Sequence, residues 1–201
     1  MRRLALTLLG GAALGLSACG GVSSDEAEIR ATIEAAAFDA DPAGCRRYAT
    51  QKLLEQTYKE QGEGVFRRCE EDAGEDIPTA VTVTRIEVDG NEAAAQVAYD
   101  GDGDYDDVGL VATLALVRRD GRWLEDEVTE FVEFDAEAVV MNWGRQMLRR
   151  APSGVEARAS ACVIERLDDF DDEQLEALLL NPSYQPVMEL ARPCEPHSDG
   201  F

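Results

Sequence analysis

The sequence predicts an α+β protein: N-terminal helices packed on a bent antiparallel meander sheet, followed by a small C-terminal helical module. Three observations predict it. Apolar residues recur at helical spacing between Ser23 and Cys69. From Ile77 the apolar period becomes two, and Asp89-Gly90 and Asp120-Gly121 punctuate it as hairpin signals. After Phe134 the helical period returns.

The first helix starts at Ser23/Ser24, where Ser23-x-x-Glu26 reads as a capping box, and Ile29, Ile33 and Ala36/Ala37 give it one buried stripe. Asp41-Pro42 is expected to open a second helical stretch, with Asp as cap and Pro at its first position, carrying Cys45, Tyr48, Leu53, Leu54 and Tyr58 inward. Gly62 and Gly64 interrupt it. Val65, Phe66 and Cys69 then form one face of a short third helix.

In the β region Val81 and Val83 alternate with threonines, and the phase slips at Arg85, because Ile86 and Val88 continue on the other parity. Such a slip predicts a β-bulge or bend. Ala93, Ala95, Val97 and Tyr99 make the second strand face. Val108 to Val117 is apolar on nearly both parities, as in a strand covered on both sides. A fourth strand runs from Trp123 through Leu124, Val128, Phe131 and Val132 to Phe134, with Leu124, Asp126 and Val128 expected to face inward.

Three or more helices follow. Asp135 caps the first, with Val139, Val140, Trp143 and Met147 on a face expected to lie against the sheet. Ser153-x-x-Glu156 caps the second, with Cys162, Val163 and Leu167 inward. Asp171-x-x-Gln174 caps the third, with Phe170 and Leu175 as a hydrophobic staple, and Tyr184–Ala191 forms a last short helix.

The amino end carries a targeting signal. Met1-Arg2-Arg3 is a basic flank, and the uncharged run to Leu16 is shorter than the ~20 residues that span a bilayer. It closes on Leu16-Ser17-Ala18-Cys19-Gly20, which resembles the lipobox of bacterial lipoproteins. The resemblance implies removal of residues 1–18, attachment of diacylglycerol to the Cys19 thiol, and fatty acylation (palmitate) of the new amine. Residues 19–24 would be a tether. Its Gly20–Ser24 stretch reaches only about 17 Å at ~3.4 Å per residue. The expected location is the extracytoplasmic face of the bacterial cell membrane.

Charge and cysteines agree with export. The whole chain carries a net charge of −22, and loss of Arg2 and Arg3 makes the mature chain more acidic still. Such a surface repels nucleic acid and anionic lipid. Beyond Cys19 stand four cysteines, Cys45, Cys69, Cys162 and Cys194, an even number suited to two disulfides in an oxidising compartment. Three connectivities are open. We take the local one, Cys45–Cys69 with Cys162–Cys194, because each pair lies within one helical region. There is no CxxC, and His197 in the tail is the only histidine, so no zinc site is expected.

Helices with a Cys pair, then strands carrying Leu114-Ala115-Leu116-Val117-Arg118-Arg119-Asp120-Gly121-Arg122-Trp123-Leu124, resemble the nuclear-transport-factor-2-like superfamily, its small exported lipoproteins most of all. The resemblance spans residues 25–134 and implies a bent sheet wrapped on helices as a cone with an apolar pocket. Asp126, Trp123 and Tyr99 are the residues expected at that pocket. No family is assigned to residues 135–201.

No motif announces catalysis. Gly-x-Ser-x-Gly, a Cys–His pair and a phosphate loop are all missing from the sequence, so neither enzymatic activity nor a cofactor is expected. Asp126 is the one carboxylate that would revive an isomerase-like reading, as a pocket base. The aspartates from Asp100 to Asp107 fail the calcium-loop pattern, with Tyr105 where Gly is needed and Val111 where Glu is, so no metal is expected there. Asp168 to Glu173 is helix-cap chemistry. The expectation is a non-enzymatic interaction module with an unknown protein partner. The alternative is a carrier or sensor of a small apolar ligand.

Overall fold

The computed structural model describes residues 23–75, 77–100, 111–133, 135, 138–140, 154–183 and 185–194. The signal segment with Cys19, residues 101–110 of the acidic loop, Trp143, Met147, Ser153, Tyr184 and the tail with His197 lie outside the described residues.

Helix α1, Ser24–Phe38, begins where Ser23 Oγ accepts the Glu26 amide at 3.1 Å, and it buries Ile29 and Ile33 completely. The expected second helix is two: α2, Gly44–Tyr48, and α3, Gln51–Tyr58. The break has a physical cause. Ala49 is extended so that it bridges Glu125, and the Thr50 amide donates to the Glu125 carbonyl at 2.9 Å. A helix running through these residues could not satisfy that strand edge. Thr50 then caps α3. Asp41 and Pro42 precede α2 rather than open it, with Asp41 Oδ1 accepting the Ala43 amide at 3.1 Å. Helix α4, Gly64–Asp72, completes the layer, and the Cys45–Cys69 disulfide joins α2 to α4.

The sheet is a four-stranded antiparallel meander, β1 Ala80–Asp89, β2 Glu92–Asp100, β3 Val111–Arg119 and β4 Arg122–Glu133, in sequence order. The phase slip at Arg85 is a bulge: Val83 pairs with Val97 and Ile86 with Ala95. Strand β3 is buried on one face only. Ala112, Leu114 and Leu116 are inside, while Val111, Thr113 and Ala115 are half-buried, so the expectation of cover on both faces fails. The inner face meets α1 through Ala93, Ala95 and Val97, whose small side chains leave room for Ile29 and Ile33.

Strand β4 has 12 residues against nine in β3, and the difference sits in bulges. Leu116 pairs with Glu125 and Ala115 with Glu127; Leu114 pairs with Val128 and Thr113 with Glu130; Ala112 pairs with Phe131 and Val111 with Glu133. Asp126, Thr129 and Val132 are the surplus residues, one every third position. Each bulge bends the strand and resets which side chains face in.

After β4, residues 138–140 are helical, and helices α5 Gly154–Leu167, α6 Asp172–Leu180 and α7 Gln185–Ala191 follow, ending in a 3-10 turn at Arg192–Cys194. They share a second core of Val140, Val163, Leu167, Leu175, Leu178 and Leu190, with Phe170 packed beside it. Cys162–Cys194 closes this module. The Asp171/Gln174 capping box forms in both directions, at 2.9 and 3.1 Å. Val140 packs in the module's own core rather than on the sheet. The sheet is reached instead from α6, where Glu176 Oε1 accepts the Phe131 amide at 2.7 Å.

Candidate functional site

The first bulge of β4 decides which carboxylate faces the interior. Trp123 is almost fully buried in the main core, and two residues on, as strand alternation requires, comes Glu125, opposite buried Leu116. Asp126 is the surplus residue of the bulge. Leu124 pairs with Val117 on the other parity. The inward set is therefore Trp123, Glu125 and Val128, not Leu124, Asp126 and Val128.

Glu125 lies at a chamber of about 220 Å³ enclosed by the four N-terminal helices and the segment after them. Ala36 and Ala37 of α1 form one wall. Cys45 and Tyr48 of α2, Leu53, Leu54 and Tyr58 of α3, and Cys69 and Asp72 of α4 form the rest. The disulfide that joins α2 to α4 is part of the lining. Gly44 is also in the wall, and a side chain there would stand 2.8 Å from Asp39 Oδ2, so the close approach of Asp39 requires glycine.

Glu125 is 9% exposed, and its Oε1 has no hydrogen-bond partner among the described residues. Burial pushes its carboxyl up to about 8. An ionised carboxylate in such a place would cost several kcal/mol, so at neutral pH the group is held as the acid. What results is a neutral carboxyl with one oxygen unsatisfied, facing a space of several water volumes.

The other acids of the lining sit in different environments. Asp39 and Asp41 are bridged by Arg47 at 3.1 and 3.2 Å, and Asp72 by Arg68 at 3.2 Å. Hydrogen bonds from the Ala43 amide, and then from Arg47, hold Asp41 below its usual range. Glu75 also lines the chamber.

Asp126 lies elsewhere. It is buried between Lys52 Nζ at 3.6 Å and Arg119 Nη2 at 3.7 Å, and it lines a separate groove of about 550 Å³ with Lys52, Val88, Ala94, Ala115 and Glu127. Glu127 bonds Lys52 as well and holds its ammonium above the ordinary value. Trp123 is core, and Tyr99 packs half-buried against that core; neither lines the Glu125 chamber. Among the described residues no group of three metal-ligating side chains comes together. Sequence reading missed Glu125, although one signal pointed to it: inward Trp123 implies inward Glu125 by alternation.

No family model matches the chain, and no curated protein matches it. Among solved structures, an NTF-2-like protein of unknown function from Silicibacter pomeroyi DSS-3 matches with 18% identity, covering 53% of this chain and 95% of that one, with a TM-score of 0.35. A likeness of that size decides nothing about the fold or the chemistry of this chain.

Proposed function

We propose that the protein is a lipid-anchored lipoprotein of the extracytoplasmic membrane face that binds a small ligand in the Glu125 chamber without transforming it. One observation carries the binding reading: a buried carboxyl with an unsatisfied oxygen at a preformed chamber. Buried polar groups are nearly always paired, and an orphan at a cavity points to a partner that completes it. At ~30 Å³ per water, 220 Å³ holds roughly seven waters, so the ligand is small. The lipobox-like Leu16–Cys19 and the disulfides of an oxidising compartment support the anchored, exported location.

Native mass spectrometry of the protein released from its own membrane tests both parts. Expected are an acylated Cys19 and a small non-covalent mass that disappears in Ala36→Leu, which fills the chamber. A free Cys19 thiol sinks the anchor. A wild-type mass with no adduct, unchanged by Ala36→Leu, sinks the ligand.

A second reading, docking of a protein partner, is favoured by the outer sheet groove, where Val88, Ala94, Ala115 and Val117 lie beside the Lys52–Asp126–Glu127 cluster. Ala94→Arg should abolish such an interface and leave the chamber untouched.

A further inference from the structure

We infer that the chamber is built for a small organic amine, whose ammonium pairs with the Glu125 carboxylate. The inference rests on the ligand-site reading above and names its chemistry. Five carboxylates line the chamber, Asp39, Asp41, Asp72, Glu75 and Glu125, and no lysine or arginine does. The arginines that answer these acids, Arg47 and Arg68, bridge Asp39, Asp41 and Asp72 and are not among the lining residues. A cation entering this space therefore meets uncompensated negative charge, and an anion meets repulsion.

The second observation is independent of the acidic count. Glu125 is nine-tenths buried, lines the chamber, and keeps Oε1 without a partner among the described residues. An ammonium supplies what that oxygen lacks, a charged hydrogen-bond donor, and a charge-assisted bond in a dry site is about twice as strong as a neutral one. The phenol rings of Tyr48 and Tyr58 in the same lining offer faces to a cation and hydroxyls to its remaining N–H groups. Ala36, Ala37, Leu53 and Leu54 suit a short methylene chain.

The proton balance follows. The free site holds the Glu125 acid; binding of an ammonium gives a carboxylate–ammonium pair and releases one proton to solvent. The groups that face Glu125 from the surrounding elements are Asp39 and Asp41 with Arg47, Tyr48 of α2, Tyr58 of α3, and Asp72 with Arg68 and Glu75 around α4. Only Glu125 among them has its charge removed by burial.

Calorimetry on the full mature chain with 1,4-diaminobutane and, as its neutral counterpart, 1,4-butanediol tests this. The diamine should bind at least tenfold tighter than the diol. Its heat should depend on the ionisation enthalpy of the buffer, with up to one proton released per ligand at pH 7. Glu125→Gln, which keeps shape and removes the charge, should weaken the diamine at least tenfold and abolish the proton release. Ala36→Leu should lose binding with Glu125 intact, which guards against a folding defect in the first variant. Equal binding of diol and diamine, both lost in Ala36→Leu, overturns the amine assignment and keeps the chamber as a ligand site. Undiminished diamine affinity in Glu125→Gln overturns it too, since the surface acids would then be the attractor. If neither probe binds at millimolar concentration the amine assignment also falls, while the co-purified mass decides the ligand-site reading separately.

Discussion

Gln56 and Val128 bond each other in both directions: Gln56 Nε2 donates to the Val128 carbonyl at 2.8 Å, and the Val128 amide donates to Gln56 Oε1 at 2.7 Å. The side-chain amide thus stands in for a neighbouring strand at the open edge of β4. With Ala49 and Thr50 at Glu125, and Glu176 at Phe131, the edge that would otherwise recruit another chain is covered by side chains and a short bridge. Gln56 Nε2 also reaches the Leu180 carbonyl at 3.0 Å, so the same residue ties the C-terminal module to the sheet.

Gln56→Leu should therefore destabilise more than its loss of one side-chain amide suggests. It leaves the Val128 amide and carbonyl unpaired in a half-buried place. At about 1–3 kcal/mol for each buried group left unsatisfied, the expected cost is roughly 2–4 kcal/mol. Urea unfolding checks it. A loss under 0.5 kcal/mol would show that water satisfies the edge equally well.

Glu125 should make stability fall with pH. Its folded value is raised from an ordinary 4.5 to about 8. Below 4.5 both folded and unfolded chains hold the proton and nothing is lost. Between about 4.5 and 8 the unfolded chain ionises while the folded one does not, so stability declines, and above 8 the decline stops. The penalty is on the order of a few kcal/mol. Glu125→Gln should flatten that part of the melting-temperature profile, and a difference curve between wild type and variant isolates it from the general repulsion of an acidic chain. Parallel profiles would mean that Glu125 is ionised and paired.

Reduction of the Cys45–Cys69 bond should open the chamber wall. The bond links residues 24 apart, so the chain-entropy model gives about 3 kcal/mol for its loss. Cys45→Ala/Cys69→Ala should lower stability by that amount and weaken any chamber ligand, whereas loss of Cys162–Cys194 should lower stability without touching ligand affinity.

Lys59 holds the C-terminal module by its carbonyls. Its ammonium donates to Leu179 and Asn181, and Gln61 Nε2 donates to Pro182 at 3.1 Å. The last carbonyls of a helix lack internal partners, and a cation there opposes the helix dipole favourably. Burial lowers Lys59 to about 8. Lys59→Met should loosen α6 and α7, costing roughly 1.5–3 kcal/mol, the range for hydrogen bonds to a charged group. Faster hydrogen exchange confined to residues 172–194 is the expected signature. Uniform protection across the variant would show that the module is held by its apolar packing alone.

The sequence by itself determined the α+β class, the order of elements, the bulge at Arg85, the caps at Ser23 and Asp171, and the local pairing of cysteines. These are properties of neighbours along the chain: periodicity, turn dipeptides, cap residues, and cysteines close enough to meet within one region. Only the tertiary structure decided the break at Ala49–Thr50, because Thr50 leaves the helix to satisfy a strand edge 75 residues away. Only it decided that Glu125, and not Asp126, faces the chamber. That choice depends on a bulge in β4, and a bulge is set by how two strands twist against each other and against the helices over them, not by the residues of either strand read alone.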